Sequence, residues 1–226
     1  MADLAAFDFD GTLTSGGSVF GFLTALVGRG PVVAAAAALS PQLAHAAIVG
    51  GAAADRAKER LFGRVMAGVP LDHVDKVAAR YGRDHVDGRL RPDVGNRLDW
   101  HRGRADTVVI VSASPEAYVA AAGGRLGADG VIATRLAVGG DGTLTGRYEG
   151  ANCRGDEKLR RLRQWIEDSG TCPERVWAYG NSRGDLSILR SADVGVNVGR
   201  LGRMGRLKAF PTLEQVQRAT PEPRAG

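Results

Sequence analysis

The sequence predicts an α/β fold in which a parallel sheet with helical crossovers is interrupted near its start by an inserted block of helices. Three observations predict it. From residue 91 onward, short β-branched strands alternate with amphipathic helices, the pattern of a parallel sheet with right-handed crossovers. Between residues 18 and 86 the apolar spacing is helical and no strand pattern intervenes. The chain opens on the apolar run LAAFDFDGTLT (4–14), which ends in two aspartates and a glycine turn.

The elements follow in order. Residues 4–9 read as a buried strand and 11–17 as the loop after it. SVFGFLTALVG, VVAAAAALSPQLAHAAIVGG, DRAKERLFGRVMAG and LDHVDKVAARYGRDHV read as successive helices, with Asp55 and Asp72 as N-caps or first-turn residues. RPDVGNRLDWHRGR (91–104) suits an amphipathic helix with proline in its first turn. Trp100 and His101 on it, and Trp177 on a later strand, are expected in core or helix-surface roles. TVVIVSASP (107–115) is a buried strand, PEAYVAAAGGRLG a helix and GVIATRL a strand. LAVGGDGTLTGRYEG reads as a hairpin about residues 139–142. GDEKLRRLRQWIEDSG is a helix, RVWAYGNS a strand and turn, GDLSILRSA a helix and DVGVNVG the last strand. The tail from about Thr220 is expected to be disordered, and there are no internal repeats.

With 226 residues, 44% of them hydrophobic, the chain can bury the core of one or two domains. A formal charge of +5 and a pI near 9.6 suit anionic partners. Nucleic acid is not among those expected: aromatics are 6%, and no basic run with interleaved aromatics, zinc-finger spacing or RNP-like motif occurs. Cys153 and Cys172 form no metal spacing and are too few for a disulfide scaffold. The N-terminus runs straight into the first strand with no signal-like stretch, so the expected location is cytoplasmic. Residues 19–54 are rich in Ala, Val, Leu, Phe and Gly, but Arg29, Pro31, Pro41 and His45 interrupt them. No clean run approaches the ~20 residues of a spanning helix, and helices of a soluble bundle that at most touch a membrane are expected. The basic stretch Arg200, Arg203, Arg206 and Lys208 suits either peripheral contact with acidic lipid headgroups or an ordinary soluble surface. Oligomeric state is not legible.

Ligands of an open α/β sheet sit beyond the carboxyl ends of its strands, and four polar clusters fall there or just after. Asp8 and Asp10 end the first strand, Ser112 and Ser114 the second, Lys158 lies early in a helix, and Asn181 and Asp185 follow VWAYG. Carboxylates two apart on a strand point to the same side. Such close like charges are unfavourable unless a cation or a shared proton offsets them. Asp-Gly alone would satisfy a turn; the second aspartate asks for chemistry. One carboxylate suits attack on phosphorus and the other proton transfer, with Mg²⁺ between carboxylate and phosphate. The Gly11 and Thr12 amides suit a phosphate-binding nest. Ser112 is alternatively a strand-end serine capping the following helix, a place Ser114 suits better. Lys158, beside Arg154, Arg160, Arg161 and Arg163, is alternatively one more solvated charge.

Taken together the motifs resemble those of the haloacid dehalogenase (HAD) superfamily. DFDGTLT is similar to its first motif, DxDGT, VIVSASP to its second, RGDEKLRRL to its third and AYGNSRGDLSIL to its fourth. All four stand in family order across about residues 3–200, nearest to the phosphoserine-phosphatase-like subfamily IB, with the helical block where C1 caps sit. The resemblance implies a Rossmann-like HAD core (1–16 and 88–219), a helical C1 cap (17–87) and a tail (220–226). It implies a phosphatase that hydrolyses a small-molecule phosphate monoester through an aspartyl-phosphate. Asp8 would be the nucleophile and a Mg²⁺ ligand, and Asp10 the general acid/base with its carbonyl on the metal. Ser112, Ala113, Gly11 and Thr12 would contact the phosphoryl group, and Lys158 would balance its charge. Asn181 stands where the family usually has an acidic metal ligand, so weaker Mg²⁺ binding is expected. Asp185 would orient metal-bound water or compensate from behind.

The helical block bears on substrate. No Asp or Glu occurs between Gly11 and Ala54, whereas phosphoserine phosphatases place an acidic residue in the loop after the first motif, where Ser15, Gly16, Gly17 and Ser18 stand here. An ammonium buried without an anion is unfavourable, which weighs against phosphoserine. Phe20, Phe22, Leu23, Val33, Leu43 and Ile48 either pack the bundle or line an apolar wall for a lipid-like alcohol. Similarity of the branch to phosphatidylglycerophosphate phosphatases keeps lipid phosphates, lysophosphatidate-like ones included, as an alternative. Arg29, Lys58, Arg60 and Arg64 meet a second anionic group or solvent. A phosphotransferase and a non-catalytic phospholigand-binding protein are the rival readings.

Overall fold

A computed structural model of the protein describes residues 2–199 and 205–220. The tail beyond Thr220, Arg200, Arg203 and the side chain of Arg206 lie outside the described residues, and Lys208 is exposed. The strands are β1 (Leu4–Phe7), β2 (Thr107–Pro115), β3 (Gly130–Thr134), β4 (Leu136–Val138), β5 (Leu144–Tyr148), β6 (Val176–Gly180) and β7 (Val194–Asn197). Five of them form one parallel sheet in the order β3-β2-β1-β6-β7, and β4 and β5 make the expected antiparallel hairpin. The chain steps outward from β1 to β3, then returns to the other side of β1 with β6. That reversal opens a crevice at the carboxyl ends of β1 and β6, where α/β sheets bind ligands.

The helices are α1 (Val19–Val27), α2 (Arg29–Ala38), α3 (Ser40–Val49), α4 (Gly51–Val65), α5 (Leu71–Arg89), α6 (Pro92–Gly103), α7 (Glu116–Leu126), α8 (Asp156–Asp168), α9 (Leu186–Ser191) and α10 (Leu213–Ala219). Strand side chains alternate between two buried layers, as the two-residue period requires. Ala5, Phe7, Ile110 and Tyr179 pack with α6, α7 and α10 residues such as Leu98, Val119 and Val216. Leu4, Ala6, Val111 and Ala178 pack with Leu162 of α8 and Ile188 of α9. Helices α1 to α5 stand together between β1 and β2, as expected. They are anchored on the sheet layer where α5 crosses α7. There a Cβ on Gly82 would lie 2.2 Å from the Tyr118 carbonyl oxygen.

Some boundaries differ from the sequence reading. β1 ends at Phe7 rather than Phe9 because the chain turns through Asp8–Asp10, although the Asp8 amide still donates to Tyr179 O at 2.9 Å. α5 runs to Arg89, three residues past residue 86, where the helical spacing ends. Asp72 does lie in the first turn of α5. Asp55 is no cap: α4 begins at Gly51, and the Asp55 carboxylate instead accepts from Asn152 Nδ2 at 2.6 Å. Among the described residues no single helix is long and apolar enough to cross a membrane; α2 and α3 would suffice together but are bent by 72°.

His101 and Trp177 are buried and Trp100 half-buried, as expected, around a polar core cluster. His101 Nδ1 donates to Asp106 Oδ2 at 2.8 Å, and its Nε2 meets the Tyr179 hydroxyl at 2.8 Å. Arg97 Nε donates to the same hydroxyl at 2.8 Å while its guanidinium lies 3.7 Å from the Trp100 ring centre. Burial, despite the Asp106 hydrogen bond, lowers the His101 pKa from 6.5 to about 4. The folded protein therefore keeps the imidazole neutral where the unfolded chain protonates it. Its stabilising effect is complete above about pH 6.5 and declines as pH falls through that window toward about 4. Urea midpoints measured across the window should fall for the native chain, and the fall should be shallower in His101→Gln.

Candidate active site

The crevice is built from the ends of β1, β2 and β6 and the start of α8. Asp8 is buried, with 7% of its surface exposed. Its Oδ1 accepts from Lys158 Nζ at 2.6 Å, and its Oδ2 from Thr12 Oγ1 at 2.8 Å. Burial, joined by the negative charge of Asp185, pushes its pKa from 3.8 up to about 7, against the opposing pull of Lys158. Lys158 is fully buried in the first turns of α8. Burial alone would favour its neutral form, but Asp185 and Asp8 outweigh it and hold the ammonium above its ordinary pKa. It also donates to Asp185 Oδ1 at 2.6 Å. Lys158 is therefore not a solvated charge.

Asp185 has its other oxygen, Oδ2, committed to the turn after β6. It accepts from Asn181 N at 3.2 Å, Ser182 N at 3.0 Å and Ser182 Oγ at 2.8 Å. Through these bonds it holds the turn carrying Asn181 and starts the 3₁₀ turn Arg183–Asp185 that leads into α9. Asn181 itself faces Gly11. Gly11 has φ +78° and a side there so close that a Cβ would meet Asn181 Nδ2 at 2.0 Å. Glycine is thus required twice, for the left-handed turn and for the neighbouring carboxamide.

The Gly11 and Thr12 amides do not form the expected nest. Gly11 N donates to Thr14 O at 2.8 Å and Thr12 N to Phe9 O at 3.3 Å, inside the turn itself. The amides of Phe9 and Asp10 have no acceptor among the described residues, a feature that residue identity cannot reveal. Thr12 contributes through its hydroxyl instead.

Asp10 is half-buried and held from one side only. Its Oδ2 accepts from Ser18 Oγ at 3.0 Å and from Ser114 Oγ at 2.5 Å. The single Ser18 proton is thereby used, so the Tyr118 hydroxyl, 2.6 Å from Ser18 Oγ, is the donor in that contact. Asp10 Oδ1 is buried with no hydrogen-bond partner among the described residues. Ser114 is therefore not the expected helix cap; Pro115 precedes α7 with no side-chain cap. Ser112 is buried, and its Oγ accepts from Ser114 N at 3.0 Å. Ala113 offers its carbonyl to Lys58 Nζ at 2.7 Å and to Thr134 Oγ1 at 2.8 Å. Lys58, on α4, is neither solvated nor free: it also donates to Asn152 Oδ1 at 3.0 Å, and burial lowers its pKa to about 8.

The structure thus brings Asp8, Thr12, Lys158 and Asp185 into one contact chain, Gly11 against Asn181, and Asp10 against the Ser112–Ser114 strand end. A family model described as haloacid dehalogenase-like hydrolase matches residues 5–190 of the sequence. The chain belongs to that family. It is 34% identical over 190 residues to protein CicA of Caulobacter vibrioides, covering 84% of this chain and 83% of that protein. It is 24% identical over 219 residues to a histidinol-phosphatase of Neisseria meningitidis serogroup C, covering 94% and 99% of the two chains. A solved structure of phosphoserine phosphatase with bound substrate shares the fold, with a TM-score of 0.64 at 19% identity over 97% of this chain and 96% of that one.

The residues present fit a hard divalent cation. Asp8 carboxylate, Asp10 carbonyl and Asn181 carboxamide are all oxygen donors, the chemistry of Mg²⁺ rather than of a softer metal. Among the described residues no group of three or more His, Cys, Asp or Glu could hold a metal. In this HAD-family chain, carboxylates alone therefore form no such site among the described residues.

Lys158→Met leaves Asp8 and Asp185 buried without their cation and should destabilise the fold by about 3–5 kcal/mol. In a double-mutant cycle of urea unfolding, adding Asp185→Asn should cost clearly less in the Lys158→Met background than in the native one. Additive effects would show that the two charges are not coupled.

Proposed function

We propose that the protein is a Mg²⁺-dependent phosphatase acting through an aspartyl-phosphate at Asp8. The observation that carries the reading is the contrast between the two aspartates. Asp8 is clamped by Lys158 and Thr12 with its carboxylate at the crevice, while Asp10 is held at Oδ2 and leaves Oδ1 unpartnered. A nucleophile needs a fixed position; an acid/base needs one oxygen free to exchange a proton with the reacting group.

An Asp8 oxygen attacks phosphorus in line, forming the Asp8–phosphoryl bond as the bond to the alcohol oxygen breaks. Asp10, with its proton on Oδ1, gives it to the departing oxygen. Water then attacks the phosphoryl group, Asp10 takes back a proton, and phosphate leaves with Asp8 regenerated. Ser112 and the Phe9 and Asp10 amides are the donors for the phosphoryl oxygens, and Lys158 keeps compensating negative charge. Asp8, the Asp10 carbonyl and Asn181 would hold Mg²⁺, which would supply neutralisation of phosphoryl charge. Helices α1–α5 act as the C1 cap that excludes water during the first step.

The substrate class is a small or partly apolar phosphorylated metabolite. The absence of any acid between Gly11 and Ala54 argues against phosphoserine. The relative named as a histidinol-phosphatase places alcohol phosphates in the panel to be tested.

Phosphate release from p-nitrophenyl phosphate should require Mg²⁺ and fall by about a thousandfold or more in Asp8→Asn. No release with any divalent metal would support the phospholigand-binding reading, and transfer to an added alcohol in place of water would support the phosphotransferase. Asn181→Asp should lower the Mg²⁺ concentration for half-maximal rate. An unchanged or higher concentration would remove Asn181 from the metal site.

A further inference from the structure

Helices α2 and α3 leave a large apolar surface outside the bundle. Ile48 is 86% exposed, Val49 55% and Val33 47%. Isolated exposed aliphatics need no explanation, but here the other outward-facing residues of the pair are mainly alanines and prolines. From Gly30 to Ala54 the only titratable side chain is His45. A water-facing helix pair ordinarily carries charge on its outer face.

The charge around this surface has one sign. Arg29 starts α2, and Arg56, Arg60 and Arg64 lie on α4; all four are exposed, and none pairs with a carboxylate among the described residues. The acids of α4 turn the other way, Asp55 onto Asn152 and Arg154 and Glu59 onto the Tyr148 amide. Between α3 and α4 lies a cavity of about 260 Å³, lined by Pro41, Gln42 and His45 on one side and Ala53, Arg56 and Arg60 on the other. Donors without an acid suit a phosphate group.

We propose that α2, α3 and the adjoining face of α4 form a peripheral docking surface for an anionic phospholipid bilayer. Val33, Ile48 and Val49 enter the acyl boundary, and Arg29, Arg56 and Arg60 meet lipid phosphates. Each of the two helices is about 15 Å long and they bend by 72°, so the pair lies in the interface rather than across the membrane. The charge pattern selects this occupant over a second copy of the chain, whose matching face would bring arginines against arginines. The inference does not depend on the proposed reaction. The opposite side of α4 carries Lys58 to Ala113, so docking sets the crevice roughly one helix diameter, ~10–12 Å, from the lipid.

Flotation of the full chain with phosphatidylcholine vesicles, with or without phosphatidylglycerol, tests this. Binding should require phosphatidylglycerol and weaken with added salt. Ile48→Ser with Val49→Ser should lower the partition coefficient about tenfold or more, with circular dichroism and melting unchanged, and Arg56→Gln with Arg60→Gln should lower it as well. Ile48→Trp should shift its emission to the blue only with anionic vesicles. No binding of the native chain to anionic vesicles, or undiminished binding of the serine pair, overturns the proposal. A concentration-dependent dimer abolished by the serine pair, without lipid binding, overturns it in favour of a second copy.

Discussion

Lys158 is a buried ammonium held 2.6 Å from each of two carboxylates, and much of the crevice is arranged around that one charge. Burial favours the neutral forms of Asp8 and Lys158, and for Lys158 the two neighbouring carboxylates outweigh it. Lys158 therefore joins the end of β1, through Asp8, to the turn after β6, through Asp185. Asp185 in turn orders the backbone that carries Asn181. Removing the central cation would leave like charges facing each other across the strand ends. A helix, a strand end and a turn are thus kept in register by electrostatics that the aliphatic core does not supply.

The second aspartate is governed from a different direction. Asp10 is held by Ser18, just before α1, and by Ser114, at the end of β2. Behind Ser18 stand Tyr118 of α7 and Tyr81 of α5, whose hydroxyl donates to the Ser18 carbonyl at 2.7 Å. The orientation of Asp10 is thereby tied to how the helical block seats on the sheet layer. Lys58 makes a parallel connection from α4 to the Ala113 carbonyl beside Ser112. Movement of the helical block would be felt at both strand ends at once.

Much of this was legible because periodicity and strand-end position are local properties. The β-branched runs around Ile110 and Val196 and the helical spacing from Val19 to Val86 needed only neighbouring residues to be interpreted. So did the aspartate pair, whose two-residue spacing marks one side of a strand. The partners of those residues were less accessible. Lys58 lies 55 positions from Ala113, and nothing near it in sequence distinguishes it from Arg60 or Arg64. Asp55 looks like a helix start, but Gly50 and Gly51 begin α4 earlier and free its carboxylate for Asn152. Ser114 could have been found, since it shares Ser112's side of the strand; its proximity to Pro115 suggested a cap instead. The amides of Gly11 and Thr12 were misplaced because turn-internal hydrogen bonding depends on backbone geometry rather than residue type.

In the proposed reaction Asp8, clamped by Lys158, forms a covalent bond to phosphorus. Acid quenching of the protein during turnover of a radiolabelled phosphate ester, followed by peptide mapping, tests it most directly. An acid-stable, base-labile label is expected on the peptide containing Asp8 and is expected to be absent in Asp8→Asn. Turnover without any trapped label under conditions that preserve acyl phosphates, or a label on another residue, would contradict it.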